Sequence, residues 1–332
     1  MLHLLFHELH PPRIKVDADL EFVFRVTFGK GSEIGTPPAS GMAAWRWARQ
    51  LGLDCRMAER CAALQAQQAL GKAAVREIEV IRLQMTANEC VRAEAHQRLA
   101  TAVEACGVEV VLLRQAALYV SGVSDFSGKE TDCDVLVQES DLDKLTIALI
   151  NAGCVTELRA TASGRKAVFL GQQGGAIVLH RQLRFSRMVP GGVFVDLACL
   201  KRCGLLLRDD VTKNKYLWVP SKAVQAADLT AQALVEYRFA PEFAATSALL
   251  DAQSLGLGQD EDLAFEAYLM IQTDVEHAQF EAWRELMRAL TAGDLGGLSK
   301  RARTLLDHGL AAATLPSYRL RLRAQRRAQK WQ

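Results

Sequence analysis

The distribution of glycine and proline constrains the fold of this chain more than any other feature of its sequence. From position 42 to position 106 the chain is rich in Ala, Gln, Arg and Glu, contains no proline, and has Gly52 and Gly71 as its glycines. Such a composition favours helices, and glycine is among the residues that helices tolerate least. We therefore predict a helical region over residues 41–106, with two or three helices separated at Gly52 and Gly71.

The segment over residues 107–220 differs, because short apolar and β-branched runs alternate there with helical patterns. Such runs predict strands at VEVVLL (108–113), TDCDVLV (131–137), KAVFLG (166–171), GAIVLH (175–180), VFVDL (193–197) and KYLWVP (215–220). Helices are predicted at RQAALYVSGV (114–123) and at ESDLDKLTIALINAGC (139–154), the second with Ser140 as its N-cap and Gly153 after its last turn. The alternation predicts an α+β fold, in which N- and C-terminal helical regions flank a small mixed β-sheet.

The two ends of the chain complete the predicted organisation. In residues 1–40 the alternation of Phe22, Phe24 and Phe28 with other residues predicts a strand-containing extension that ends in a glycine turn. Residues 221–332 return to helical periodicity and predict a C-terminal helical region. This region ends in the basic tail SYRLRLRAQRRAQKWQ, which is either a solvated helix face or a surface for RNA or another acidic partner.

Charge and cysteine usage narrow the class of protein. The chain has 40 Lys and Arg against 38 Asp and Glu, and this balance by itself favours no nucleic-acid partner. No apolar run approaches the roughly 18 residues of a membrane span. Eight cysteines are scattered without a CxxC pair, which predicts reduced thiols in a cytoplasmic protein. The alternative for Cys199 and Cys203, with Asp196 nearby, is half of a zinc site.

The stretch ETDCDVLVQES, from Glu130 to Ser140, places two carboxylates at the start of an apolar strand. Side chains at positions i and i+2 of a strand share a face, so we expect Asp132 and Asp134 to project together while Cys133 faces the core. Adjacent carboxylates repel each other unless solvent, basic neighbours or a divalent cation compensate them. Since Mg²⁺ takes carboxylate and phosphate oxygens, the pair is either a solvated strand start or a platform for metal and phosphate.

The order of elements around these aspartates resembles the DNA polymerase β-like nucleotidyltransferase superfamily, and more closely a bacterial group of nucleotidyltransferase family proteins. In that group a strand and turn of the form LLKG-A-L precede R-x-x-x-D-[IV]-D-L-L-V, then a helix closing in L-x-x-x-G-[YW] and a strand of the form [ED]-[IVL]-H. The corresponding stretches here are LLRQAAL (112–118), KETDCDVLV (129–137), LTIALINAGC (145–154) and IVLHRQL (177–183). The resemblance implies a nucleotidyltransferase-like α/β core over residues 107–220.

The resemblance also implies roles for individual residues. Asp132 and Asp134 would hold two Mg²⁺ or Mn²⁺ ions that bridge the phosphates of a nucleoside triphosphate (NTP), and Asp134 would help to position the acceptor hydroxyl. The acceptor would then attack the phosphorus of the nucleoside monophosphate unit of the NTP, and pyrophosphate would leave. Lys129 stands close to the group's Arg and Arg114 at the position of its Lys, so both are expected near phosphate. His180 either lines the nucleotide cleft or caps its strand.

Three positions depart from the group's pattern. Gln115 replaces the glycine whose bare backbone lets phosphate approach closely. Val178 replaces the third carboxylate, which is expected two residues before His180. Asp196, in the predicted strand VFVDL, is the candidate to replace that acid.

Two functions therefore remain open at the level of the sequence. The first is a Mg²⁺-dependent nucleotidyltransferase that moves a nucleoside monophosphate from an NTP to a hydroxyl or phosphate acceptor on a small molecule, peptide or protein. The second is a catalytically degenerate relative that acts as a binding or scaffold subunit, with a protein partner on the N-terminal strand or the helices. RNA binding through the basic tail and the cleft is a weaker third reading.

Overall fold

A computed structural model describes most of the chain. The described residues are 11–29, 36–65, 67–122, 131–161, 164–171, 175–183, 195–208, 213–231, 233–234, 244–272, 275–318 and 320. Lys129, the residues after 320 in the basic tail, and positions 193–194 of the predicted strand VFVDL lie outside them.

The chain divides into two compact units. Unit 1 comprises Met1–Arg82, Leu229–Ala264 and Asp274–Gln332, and unit 2 comprises Leu83–Asp228 and Phe265–Thr273. The four segments predicted from composition remain a prediction, because these units are defined by contacts within the fold. Unit 2 begins within the long helix that precedes the first strand, because that helix contributes Ala95, Leu99 and Val103 to the core under the sheet.

Helices make up most of the described chain outside the sheet. They are α1 (Ala18–Phe28), α2 (Gly41–Gln50), α3 (Asp54–Ala63), α4 (Gln67–Cys106), α5 (Arg114–Val120), α6 (Leu142–Asn151), α7 (Leu197–Arg202), α8 (Lys222–Ala231), α9 (Ala244–Leu255), α10 (Glu261–Ile271), α11 (His277–Ala292) and α12 (Lys300–Thr314). Gly52 separates α2 from α3, and Gly71 breaks the helical geometry within α4, both with positive φ. No helix in the described part of the chain is long and apolar enough to cross a bilayer.

The prediction of a strand in residues 22–28 is wrong, because this segment is helix α1. The Asp17 side chain accepts a hydrogen bond from the Leu20 backbone N–H at 2.8 Å and so caps the first turn. The alternation of phenylalanines that predicted a strand arises because the helix is buried around most of its circumference. Val23 and Thr27, which the strand would have turned to the opposite face, are buried as well.

Unit 2 is built on a mixed sheet, which has seven strands in the described residues. The strands are β1 (Val110–Leu112), β2 (Cys133–Val137), β3 (Val155–Thr161), β4 (Gly164–Leu170), β5 (Ala176–His180), β6 (Leu206–Arg208) and β7 (Leu217–Pro220). Their order is β3-β4-β5-β2-β1-β7-β6. Strand β2 is antiparallel to β1 and parallel to β5, while β1 is parallel to β7. The other neighbouring pairs are antiparallel.

One face of the sheet carries the core of unit 2. Cys133, Val135 and Val137 of β2 belong to this core, together with Leu99 of α4 and Leu145 of α6. Asp134 and Leu136 must therefore lie on the opposite face, because successive side chains of a strand alternate. The strand pattern thus predicted which face of β2 is apolar core and which carries the carboxylate.

Two local predictions in this unit are wrong. Ser140 lies in a short 3₁₀ turn (Glu139–Asp141), and α6 begins after Asp141 without a side-chain cap. Residues 195–197 are not a strand, since Asp196 is the N-cap of α7 and its Oδ1 accepts from the Cys199 backbone N–H at 2.8 Å. An aspartate before LACLKR satisfies a helix N-terminus as readily as it ends a strand.

Candidate functional site

Asp134 occupies the second position of β2 and is the buried member of the aspartate pair. Its side chain is 12% exposed, whereas Asp132 lies before the strand and is exposed. The register places Asp134 beside Val178 of the parallel strand β5. The two carboxylates therefore occupy different environments, although their spacing in the sequence is that of a same-face pair.

Both carboxylate oxygens of Asp134 are engaged by neighbouring side chains. Arg114 Nη1 donates to Oδ2 at 3.2 Å, and His180 Nε2 is hydrogen-bonded to Oδ1. When Asp134 is ionised its oxygens can only accept hydrogen bonds, and His180 is then the donor through Nε2. The exposed fractions of the Arg114 and His180 side chains are 10% and 1%, so this is a buried network.

The backbone also brings these residues together. The Leu113 N–H donates to the Asp134 carbonyl oxygen at 2.9 Å, which ties the start of α5 to the start of β2. Arg114 follows with φ of 51°, in the left-handed region. For a residue other than glycine this conformation costs roughly 1–2 kcal/mol. The contacts of the guanidinium offset that cost and explain why a bulky side chain is held in this geometry.

Asp228 is a fourth member of the network that the sequence analysis missed. Its side chain is 6% exposed, and its Oδ2 lies 3.7 Å from Arg114 Nε. Arg114 therefore lies between two buried carboxylates, one on β2 and one on α8. A signal was present in the sequence, because Asp228 is the only charged residue between Lys222 and Glu236. A lone acid in a helix that is otherwise so apolar indicates a buried partner.

Gln115, Asp196 and Lys129 are the other predicted site residues outside the aspartate pair. Gln115 is buried within α5, next to Arg114. The oxygen Oδ1 of Asp196 is used as a helix cap, as described above. Lys129 is not among the described residues. Of the predicted set, the structure thus links Arg114, Asp134 and His180 directly.

Cys133, between the two aspartates, is fully buried in the core. Burial raises the pKa of its thiol, and the carboxylates of Asp134 and Asp132 raise that pKa further. Cys133 therefore stays a protonated thiol under ordinary conditions and is neither a nucleophile nor a metal ligand.

The residues present do not fit a site for two Mg²⁺ ions. Val178, beside Asp134, offers no side-chain oxygen as a ligand, and both Asp134 carboxylate oxygens already contact protein donors. Within the described residues no group of three or more His, Cys, Asp or Glu has the arrangement to hold a metal ion. A metal on Asp134 would also lie close to the guanidinium of Arg114, which stays charged at all relevant pH values.

Comparison with known proteins does not assign the chain to a family. No family model matches the chain, and no curated protein or solved structure matches it.

Proposed function

We propose that this chain carries a nucleotidyltransferase-like domain that no longer performs metal-dependent nucleotidyl transfer and acts as a binding or scaffold protein. The observation that carries the proposal is the engagement of both Asp134 oxygens, by Arg114 and by His180. The carboxylate that the resemblance assigns to metal is thus used to join β2, β5 and α5. Arg114 extends this link to Asp228 on α8.

The arrangement of the central strands supports the nucleotidyltransferase-like part of the proposal. Strand β1 leads into α5 and runs antiparallel to β2, which carries the aspartates, and α6 follows. Strand β5 then lies parallel to β2, on the side opposite β1. The position at which the resemblance expects a third carboxylate is Val178, and the register sets it directly beside Asp134.

The same register supports the loss of metal chemistry. A third carboxylate at position 178 would share a metal with Asp134, whereas valine contributes only apolar surface, and it is 6% exposed. Mg²⁺ demands near-octahedral oxygen ligands and gives up its water reluctantly. Removing Arg114 from Asp134 to admit the ion would leave a buried guanidinium with one carboxylate fewer, which is strongly unfavourable.

A groove on unit 2 supports the binding part of the proposal. It lies between α4 and α6, has a volume of about 390 Å³, and is lined by Ala102, Ala105, Ile147 and Ala148, among others. Ile147 and Ile150 are 60% and 46% exposed. Large apolar side chains left in water beside a concave surface are typical of contact sites for partners.

The second candidate is an active Mg²⁺-dependent nucleotidyltransferase, and the exposure of Asp132 is the observation that favours it. An exposed carboxylate at the end of β2 can contribute to an ion held mainly by NTP phosphates and water. In that case the NTP would have to displace Arg114 from Asp134, and metal-dependent nucleotide binding would depend on both aspartates.

The experiment that separates the two candidates is calorimetric titration with each NTP, with and without Mg²⁺ or Mn²⁺. The wild type is compared with Asp132→Asn/Asp134→Asn, and Glu139→Gln/Asp141→Asn serves as a charge-matched control from the turn after β2. Label transfer from α-labelled NTPs is followed in parallel. Circular dichroism shows that each variant is folded.

The proposal predicts that Mg²⁺ or Mn²⁺ changes NTP binding equally, or not at all, in the wild type and the Asp132→Asn/Asp134→Asn variant. It also predicts that neither protein transfers the label. Label transfer that is lost in that variant and kept in the control would establish the second candidate instead. Metal-dependent binding with the same pattern would contradict the structural role proposed for Asp134.

A further inference from the structure

Unit 1 contains a positively charged cavity that the proposed function does not use. The cavity has a volume of about 410 Å³ and is lined by Arg13, Lys15, Val16 and Arg303. Three of these four residues are cations. The volume falls within the roughly 300–1,000 Å³ range of pockets that bind small molecules.

The charge of this cavity is only partly compensated. Arg303 Nε donates to Asp307 Oδ1 at 3.3 Å, so this guanidinium has a carboxylate partner. Arg13 and Lys15, in contrast, form no ion pair with any residue that the structure describes. Among the described lining residues and their ion-pair partners, three cations are matched by one carboxylate, and this excess of positive charge raises the local concentration of anions.

An apolar cluster and a hydrogen bond from Arg303 hold the walls of the cavity in place. Ile14 and Leu315 pack against a small apolar cluster of Ala311, Ala312 and Tyr318. Arg303 Nη2 donates to the Ile14 carbonyl oxygen at 3.3 Å, which fastens the segment before α1 to α12. Because these contacts fix the backbone between Arg13 and Lys15, a ligand would not have to order that backbone.

Helix α12 places Arg303 at the cavity. The helix begins at Lys300 after the Ser299 cap, and Arg303 lies in its first turn. The start of the helix already has carboxylate partners, because Glu285 accepts hydrogen bonds from the N–H and hydroxyl of Ser299, and Arg301 lies 3.8 Å from Glu276. The case for an anion therefore depends on the cations that line the cavity and not on the helix N-terminus.

We propose that this cavity is a binding site for a small molecule that carries a multiply charged phosphate group, such as a pyrophosphate or phosphate ester. The side chains of Arg13, Lys15 and Arg303 donate to its oxygens. A concave site of this volume suits a compact ligand better than the extended backbone of RNA. The site lies wholly within unit 1 and does not depend on the function proposed for unit 2.

The test is calorimetric titration of the full chain with pyrophosphate. The variant Arg13→Gln/Lys15→Gln removes the two cations that form no ion pair and keeps the contacts of Arg303 with Ile14 and Asp307. The control Arg46→Gln/Lys72→Gln removes two exposed cations elsewhere in unit 1. A twenty-nucleotide single-stranded RNA is titrated alongside, since it carries the same phosphate chemistry.

We expect pyrophosphate to bind the wild type and the control alike, and to bind the Arg13→Gln/Lys15→Gln variant ~100-fold more weakly, since each of the two charge-assisted hydrogen bonds that are lost is worth about a factor of 10. Equal affinity for the two variants, or no binding of pyrophosphate to the wild type, would overturn the proposal. So would RNA binding that depends on Arg13 and Lys15 without pyrophosphate binding.

Discussion

At the scale of single residues, the environment of Asp134 decides between a metal ligand and a structural ion pair. Its spacing from Asp132 is compatible with both. Its burial beside Val178, with Arg114 and His180 on its two oxygens, favours the structural role. Arg114 in turn adopts a backbone conformation that few residues other than glycine tolerate, and this indicates that its position is held by its contacts.

The first prediction concerns the stability that this ion pair provides. Asp134→Asn keeps the shape of the side chain but leaves the buried guanidinium of Arg114 with a weaker partner. We expect the free energy of unfolding to fall by about 3 kcal/mol, since breaking a buried pair leaves an uncompensated charge. Urea unfolding monitored by circular dichroism measures this change.

The matched control is an ion pair of the same kind on the surface. Arg181 and Glu139 are joined at 2.7 Å, with side chains 53% and 70% exposed. Glu139→Gln is expected to change the free energy of unfolding by less than about 1 kcal/mol, because solvent screens such pairs. If the two variants lose the same stability, the network around Asp134 has no special structural role.

At the scale of secondary-structure elements, the N-cap of helix α1 can be tested by mutation, in the segment that was wrongly predicted as a strand. Asp17→Ala removes the hydrogen bond to the Leu20 N–H, and we expect a loss of about 1 kcal/mol, as is typical of an N-cap. Glu21→Ala, at an exposed position of the same helix, serves as the control. Thermal unfolding in which the two variants behave alike would argue against the cap.

A second element-scale prediction concerns Glu109, which precedes β1. Burial alone would raise the pKa of its carboxyl, but hydrogen bonds from Lys201 and Trp218 outweigh burial and lower that pKa. A carboxyl whose pKa is lowered in the folded state stabilises the fold at pH values above the ordinary pKa range of carboxyl groups. This stability is lost as the pH falls through that range.

The wild type should therefore be more stable than Glu109→Gln at neutral pH, and this difference in the free energy of unfolding should shrink on acidification. The side chains of Glu109 and Lys201 are each 35% exposed, so we expect a difference below about 1 kcal/mol at neutral pH. Urea unfolding at several pH values measures it, with Glu89→Gln on the exposed side of α4 as the control. A difference that is constant with pH would contradict the assigned hydrogen bonds.

The elements that could be predicted are those whose structure follows from the pattern of neighbouring residues in the sequence. Strands β1, β2, β4, β5 and β7 and helices α5 and α6 follow from local apolar patterns, so the sequence predicted them. Strands β3 and β6 were missed, and β6 is only three residues long with two of them exposed. Helix α1 was misread because its deep burial hides the helical period.

The candidate site was predictable only in part, for a related reason. Arg114, Asp134 and His180 were singled out individually by their positions around β2. Their pairing depends on the parallel register of β2 with β5, which no local pattern encodes. Asp228 comes from a helix almost a hundred residues after Asp134, so its contact with Arg114 is a product of the tertiary fold alone.

At the scale of the whole molecule, the packing of each unit can be tested through the burial of its cysteines. None forms a disulfide: Cys55, Cys61, Cys133 and Cys154 are buried, whereas Cys90 and Cys203 are exposed. Burial raises the pKa of Cys61 to about 12, against a small opposing effect of Arg60. Since the thiolate is the reactive form, the buried thiols should be protected by both access and pKa.

We therefore expect Cys90 and Cys203 to react first with a thiol reagent in the native protein, and Cys61 and Cys133 to react only on unfolding. Mass spectrometry of proteolytic fragments after timed labelling identifies the modified positions. Rapid native labelling of Cys133 would mean that the core beneath β2 is not packed as described.

The proposal that Asp134 serves structure and not a metal is tested most directly by counting bound Mn²⁺ ions. Electron paramagnetic resonance of free Mn²⁺, in the presence of an NTP analogue that cannot transfer its nucleotide, compares the wild type with Asp134→Asn. Our account predicts the same Mn²⁺ binding for both proteins. A Mn²⁺ site in the wild type that disappears in Asp134→Asn would show that Asp134 is a metal ligand, and the structural role proposed for it would be wrong.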